Sequence, residues 1–177
     1  MVPGPVDAAI LRATRLAALS DTPTAFGSTY ARESALSTAQ WIEKTHQWTS
    51  PGAANTFLAF EGQACVGIVA SFQQRGFPQQ FVIVSMWVAP HCRRQGLAHR
   101  LLREVEMWAI SQGAAELVLD VTETNHAAIA CYRRYGFEPT GETIPYPNAP
   151  NLLEWRMRKL CPAQHSPACP TGFAPRA

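Results

Sequence analysis

The stretch Arg93-Arg94-Gln95-Gly96-Leu97-Ala98 runs two cations and an amide into a glycine, where one apolar pattern stops and another starts. Glycine inside a helix costs about 1 kcal/mol relative to alanine, so a compensating role near Gly96 is expected. The run before it, FVIVSMWVAP, reads as a strand that stops at Pro90. A strand, a short polar turn and a helix N-terminus make a place for an anion, because the first helical N–H groups lack partners and carry partial positive charge. Gly96 and the small Ala98 clear the approach, while Arg93, Arg94 and Gln95 supply donors and charge. Neither a dinucleotide-binding GxGxxG nor a phosphate loop ending in Gly-Lys-Ser/Thr is present. A second pair of polar residues, Asn125 and Tyr132, lies seven positions apart. That is about two helical turns, so the two share a face.

The elements that must position these residues follow from hydrophobic period. Residues 6–20 are apolar at helical spacing, and DTPTAFGS breaks the pattern. A second helix is expected over STAQWIEKTHQW with Ser37 or Thr38 as its cap. NTFLAFEGQACVGIVASF reads as two strands joined at Glu61-Gly62, and residues 81–88 as a third. After Gly96, Leu97, Ala98, Leu101, Leu102, Val105, Trp108 and Ala109 form the apolar stripe of a long helix closed at Gly113. AELVLDV reads as a buried strand, and NHAAIACYRRYGF as a helix that stops at Gly136. ETIPYPNAPNLLEWRMRKL suggests two strands flanking a proline-rich loop. The strand–helix–strand unit over 81–121 requires a parallel pair with a right-handed crossover. Short turns elsewhere favour antiparallel pairing, so the expectation is an α/β domain: a mixed sheet with helices on both faces.

Residues 1–160 are read as one domain and the proline-rich segment 161–177 as a mobile tail. A chain of 177 residues that is 47% hydrophobic and 16% charged can build a full core. Its net charge of +2 and lack of any block of like charge argue against nucleic acid. No apolar run approaches the roughly 18 residues of a membrane span, and arginines interrupt the N-terminal apolar stretch, which makes a poor signal peptide. Five cysteines without a CxxC pair favour a reducing, cytoplasmic setting over a zinc site or disulfide scaffold. Cys65 and Cys131 read as buried small hydrophobes. His46, His91, His99 and His126 show no metal spacing, so no metal is expected. Ser85 and Cys92 lack a nucleophile–base pattern and read as structural.

Val-x-Pro-x-x-Arg-x-x-Gly-x-Ala, from Val88 to Ala98, resembles the acetyl-CoA motif of the GNAT N-acetyltransferase superfamily. The later Asn-x-x-Ala-x-x-x-Tyr-x-x-x-Gly-Phe (Asn125, Ala128, Tyr132, Gly136, Phe137) resembles that family's other cofactor segment. The resemblance covers about residues 55–160. It implies a mostly antiparallel sheet whose central parallel pair splays around acetyl-CoA. It further implies that Trp87, Val88, Arg93, Arg94, Gln95, Gly96, Leu97, Ala98, His99 and Asn125 meet the cofactor, with the pyrophosphate over residues 93–98 and the pantetheine arm along the strand ending at Val88.

Acetyl transfer to an amine needs a neutral nucleophile, a donor for the carbonyl oxygen and a proton for the leaving thiolate. The resemblance assigns the last role to Tyr132, which is protonated at neutral pH because a free tyrosine has a pKa of roughly 10. The Val88 N–H can polarise the thioester carbonyl. Relatives carry a glutamate early in the strand before the cofactor loop, where this chain has Val82. The base is therefore open between Glu33, Asp120 and a water chain, with Glu33 also a candidate acceptor-binding residue. Acceptor specificity is expected from AFGSTYARESALSTAQWIEK and IPYPNAPN.

The expected activity is direct acetylation of a small primary amine in a ternary complex. Acetylation of a peptide N-terminus or lysine is the alternative, a non-catalytic acyl-CoA sensor is the rival from another class, and a homodimer is left open.

Overall fold

The computed structural model describes residues 7–162. Helix α1 (Ala8–Asp21) starts where the Asp7 carboxylate accepts from the backbone of Ala9 and Ile10, and it buries Leu11, Ala18 and Leu19. A 3₁₀ turn at Pro23–Ala25 and the short helix α2 (Tyr30–Ser34) follow. Helix α3 (Thr38–Trp48) opens on the expected Ser37, which forms a capping box with Gln40. The remaining elements are β1 (Ala54–Glu61), β2 (Ala64–Gln74), β3 (Phe77–Val88), α4 (Leu97–Ser111), β4 (Glu116–Thr122), α5 (His126–Tyr135), β5 (Glu138–Tyr146) and β6 (Ala149–Leu160).

The strands form one sheet in the order β1-β2-β3-β4-β6-β5. Every neighbouring pair is antiparallel except β3 with β4. β2 is buried from Val66 to Ser71, on both of its faces, which requires cover on each side. Helix α4 lies against β1–β3, with Leu101 pressed onto Gly67, while α1 and α3 pack together against the other face. The core joins Leu101, Leu102 and Val105 of α4 to Phe81, Leu117, Leu119 and Met157 of the sheet.

Three expectations need correction. The proline-rich loop near the C-terminus shrinks to a tight turn at Pro147-Asn148, and β5 runs through Pro139 and Pro145. β5 is an edge strand, where a residue without a backbone donor breaks no ladder. Strand β3 begins at Phe77, four residues before the expected start. Cys65 and Cys131 are only half-buried, whereas Cys92 is buried. The supposed tail lies outside the described residues from position 163 onward. Within its start, the Cys161 N–H still donates to the Ala115 carbonyl at 2.8 Å. Among the described residues no strand precedes α1, and no helix is long and apolar enough to cross a membrane.

Candidate active site

The parallel strands pair only at Gln80–Glu116, Phe81–Leu117 and Val82–Val118, and then part. Their separation starts at a bulge. Ile68 and Ala70 of β2 face Trp87 and Val84 of β3, so β3 carries one extra residue there. Ser85 in that bulge adopts a left-handed φ of +58°, a conformation costly for any residue with a side chain. Its hydroxyl accepts from the Arg15 guanidinium at 3.0 Å, which ties the bulge to α1.

The parted strands enclose a cleft of about 210 Å³. Val82 to Met86 form one wall and Leu119 to Thr122 the other, with Glu154 of β6 behind Thr122. Asn125, Ala128 and Tyr132 line it from a single face of α5, as their spacing requires. Ala25 and Gly27 reach over it from the loop after α1. That loop is fastened by the β5–β6 hairpin: the Tyr146 hydroxyl lies 2.9 Å from the Pro23 carbonyl and 2.8 Å from that of Phe26. Asn148 also donates to Phe26. The two segments expected to set acceptor specificity thus meet at one end of the cleft.

Tyr132 is buried beside the ring of Phe137. Among the described residues its hydroxyl makes no hydrogen bond, and burial pushes its pKa far above the usual tyrosine value. It is therefore a neutral donor throughout any working pH range. The Asn125 side chain caps α5 by accepting from the Ala128 N–H at 3.2 Å, which leaves its amide hydrogens free for another partner.

At the end of β3, Val88 is opposite Gly67, and the Ala89 N–H donates to Val66. In an antiparallel ladder this makes Val88–Gly67 a non-hydrogen-bonded pair, so Val88 turns its own N–H and C=O away from β2. The carbonyl accepts from Arg93 Nε at 2.9 Å. The N–H points to the open side, where an acyl oxygen can use it.

Helix α4 begins at Gly96 with φ +79° and has no side-chain cap. A Cβ placed on Gly96 would meet no atom within 4 Å, so the left-handed backbone, and not internal crowding, is what favours glycine there. With no side-chain cap among the described residues, the first-turn N–H groups are left for an anion. Arg94, also at left-handed φ (+59°), has no side-chain partner among the described residues.

Not every predicted residue is free to act. Arg93 spends its guanidinium on the Val88 carbonyl and on Asp21, which also accepts from the Trp87 indole at 2.9 Å. The Gln95 amide donates to the His91 carbonyl. Arg93, Trp87 and Gln95 thus each make a hydrogen bond within the protein that braces the loop. Leu97 and Ala98 pack partly on the core, and the exposed His99 ring lies 4.6 Å from the Tyr135 ring.

Glu33 is placed differently from the sequence expectation. It is 2% exposed and bound by Arg15 through Nε and Nη2, with Lys44 Nζ at 3.2 Å. Burial alone would raise its pKa, but Arg15 and Lys44 hold it below the usual glutamate value. A carboxylate so paired is a poor base, and it does not line the cleft. Asp120 does line the cleft, in a two-point pair with Arg156 at 2.9 and 3.1 Å. Glu154, which no sequence pattern singled out, lines it without a side-chain partner among the described residues.

No metal was expected, yet Glu61, His91 and Cys92 bring potential ligand atoms within 4.8 Å of one another. A surface His91–Glu61 contact of 3.6 Å accounts for the approach. Burial and Glu61 push the Cys92 thiol upward, which keeps it protonated and a weak ligand.

Residues 18–137 match the Acetyltransferase (GNAT) family, and the chain belongs to it. Streptothricin acetyltransferase of Streptomyces lavendulae is 33% identical over 84 residues, 48% of this chain and 44% of that one. N-acetyltransferase 8B of Mus musculus is 26% identical over 123 residues, covering 68% and 50%. The matches thus span about half, or less, of these curated relatives.

Among solved structures, nourseothricin acetyltransferase superposes with a TM-score of 0.58 at 28% identity, covering 62% of this chain and 66% of that one. An aminoglycoside 6'-N-acetyltransferase complexed with coenzyme A gives a TM-score of 0.67 at 16% identity, covering 94% and 100%, a likeness of fold.

Proposed function

We propose that the protein is an acyltransferase that moves the acetyl group of acetyl-CoA to a primary amine of a small molecule, by direct attack in a ternary complex. The observation that carries this reading is a cleft between the parted strands that holds a neutral tyrosine, with β3 running on from the cleft wall to the glycine-started N-terminus of α4. The loop meets what a coenzyme A pyrophosphate requires, namely open backbone donors, a free arginine at 94 and no side chain at 96.

In this reading the first-turn N–H groups of α4 and the Arg94 guanidinium hold the pyrophosphate. Asn125 offers its amide hydrogens to the pantetheine arm. Acetyl-CoA supplies an activated thioester, and the protein orients it and manages protons around it. The Val88 N–H donates to the acyl oxygen as negative charge grows there. Tyr132 holds a proton on its hydroxyl and delivers it to the departing sulfur.

A cleft of about 210 Å³ receives the reactive end of an acceptor and leaves its bulk outside. A small polar amine suits this shape, and the names of the streptothricin and aminoglycoside acetyltransferases among its relatives support that class.

The test is product mass analysis after incubation with acetyl-CoA and a panel of streptothricin, kanamycin, spermidine, free amino acids and short peptides. A mass gain of one acetyl group on a small amine is the expected result. Acetylation of peptides alone would assign the protein-modifying alternative. Tight acetyl-CoA binding without any product would favour the sensor.

A further inference from the structure

We infer that Glu154 is the general base of the reaction, taking the proton from the ammonium nitrogen of the acceptor inside the cleft. The inference rests on the acetyltransfer reading above and names the residue that the sequence could not.

Glu154 stands on β6 directly opposite Thr122 of β4, and Asp120 stands opposite Arg156 one pair further along the same face. All of these sit on the strand positions that point to one side, so Glu154 and Asp120 are diagonal neighbours across the ladder, a relation that brings Cα atoms to about 7–8 Å. Glu154 is only 9% exposed and lines the cleft. Among the described residues its carboxylate makes no hydrogen bond and no ion pair, so its oxygens are open to the cleft. The hydroxyl of Thr122, 1% exposed and also on the cleft wall, has no partner either. A carboxylate and a buried hydroxyl on opposite strand positions, both on the cleft wall and neither partnered among the described residues, leave their hydrogen bonds to whatever enters the cleft.

The charged and titratable groups around Glu154 explain why it stays basic. From β4, Asp120 opposes its ionisation. From β6, Arg156 is already held by Asp120 and by Glu142 of β5, and does not pair with Glu154. From α5, Tyr132 is neutral. The covering Ala25 and Gly27 carry no charge. Burial first and Asp120 second therefore raise the Glu154 pKa above the usual glutamate value. Such a carboxylate, open to the cleft, is placed to take a proton, whereas Asp120 is held at two points by Arg156 and Glu33 lies elsewhere.

The step balances. An acceptor R–NH₃⁺ gives one proton to the Glu154 carboxylate and becomes R–NH₂. The nitrogen lone pair forms the N–C bond to the acetyl carbon, and the C–S bond breaks with its electron pair on sulfur. Sulfur takes the Tyr132 proton, and the second proton lost from nitrogen restores the tyrosine. Glu154 then returns its proton to solvent.

The experiment compares wild type, Glu154→Gln and Asp120→Asn with acetyl-CoA, using streptothricin and kanamycin as acceptor probes. Glu154→Gln is expected to bind acetyl-CoA as wild type does and to lose about 100-fold or more in kcat near neutral pH. Its rate should then climb about tenfold per pH unit as the free amine accumulates, while wild type shows a flatter profile.

Independently of turnover, the Glu154 carboxyl resonance, assigned by its loss in Glu154→Gln, should titrate above the ordinary glutamate range and move down in Asp120→Asn. A Glu154→Gln enzyme with wild-type rate and pH profile overturns the inference. An ordinary titration of that carboxyl, or loss of turnover in Asp120→Asn alone, overturns it as well. In each of those cases acetyltransfer by wild type still stands. A wild-type protein that acetylates neither probe nor any amine of the panel fails at the broader reading, and the base role falls with it.

Discussion

Two groups of charged side chains flank the bulge of β3 and differ in one respect. Arg15 and Glu33, from α1 and α2, are almost removed from water, Lys44 of α3 is half-buried beside them, and each finds a partner; the aromatic faces of Phe26, Trp41 and Trp48 cover the cations. Glu154 and Thr122 are also buried residues, on the cleft wall, and among the described residues their side chains find no partner. The first group spends its charge on fastening three helices and Ser85 to one another. The second keeps its polarity available at the cleft. Burial alone therefore does not separate the fastening residues from the proposed base; partnership and a place on the cleft wall do.

Breaking the first group should cost the most. Glu33→Ala leaves the buried Arg15 and the half-buried Lys44 without their carboxylate, and removing one partner of a buried pair typically costs about 3–5 kcal/mol, measurable by urea denaturation. The pH dependence of stability separates the two groups by sign. Glu33 has a lowered pKa in the folded state, so its contribution is present above its unfolded value and is lost as pH falls through the folded one. Glu154 has a raised pKa, so the folded state favours its protonated form, and that contribution is lost as pH rises through the folded value. Glu33→Gln should flatten the acid side of the stability curve, whereas Glu154→Gln should be no less stable than wild type at neutral pH. A Glu154→Gln protein that unfolds readily would erase the contrast.

A smaller effect is expected at Tyr132. Phenylalanine there preserves the packing on Phe137 but removes the proton source, and kcat should drop about 100-fold with acetyl-CoA binding unchanged. Steady-state rates alongside calorimetric binding would check both halves.

The smallest effect is expected at Gly96. Alanine meets no atom within 4 Å, yet φ there is +79°, and a left-handed alanine costs about 1–2 kcal/mol. With a methyl group also in the path of the pyrophosphate, acetyl-CoA binding should weaken about tenfold, or 1.4 kcal/mol, read by titration calorimetry. Retention of full affinity would remove Gly96 from the anion site and leave it only a turn.

Much of this molecule could be read from local patterns, because the physics behind them is local. The Ser37–Gln40 capping box, the Glu61-Gly62 turn, Gly96 and Gly113 bracketing α4, and the shared face of Asn125 and Tyr132 depend on neighbours within a few residues. The acetyltransferase resemblance of Val88–Ala98 and Asn125–Phe137 was legible for the same reason. The cysteine burials and the proline-bearing β5 were misread because exposure and edge position depend on the sheet as a whole.

The charges were decided further away still. The pairing of Arg93 with Asp21, 72 residues distant, is invisible in the sequence. Glu33 was a candidate base until Arg15 and Lys44 enclosed it. Glu154, within LLEWRMRKL, had the look of an ordinary strand glutamate until the β4–β6 register set it against Thr122 and beside the cleft. The sequence by itself determined which backbone segments could receive an anion and which helix face carried the tyrosine. Only the tertiary structure decided which ionisable groups were paired and which were left to react, since pairing is a property of contacts between elements distant in the chain.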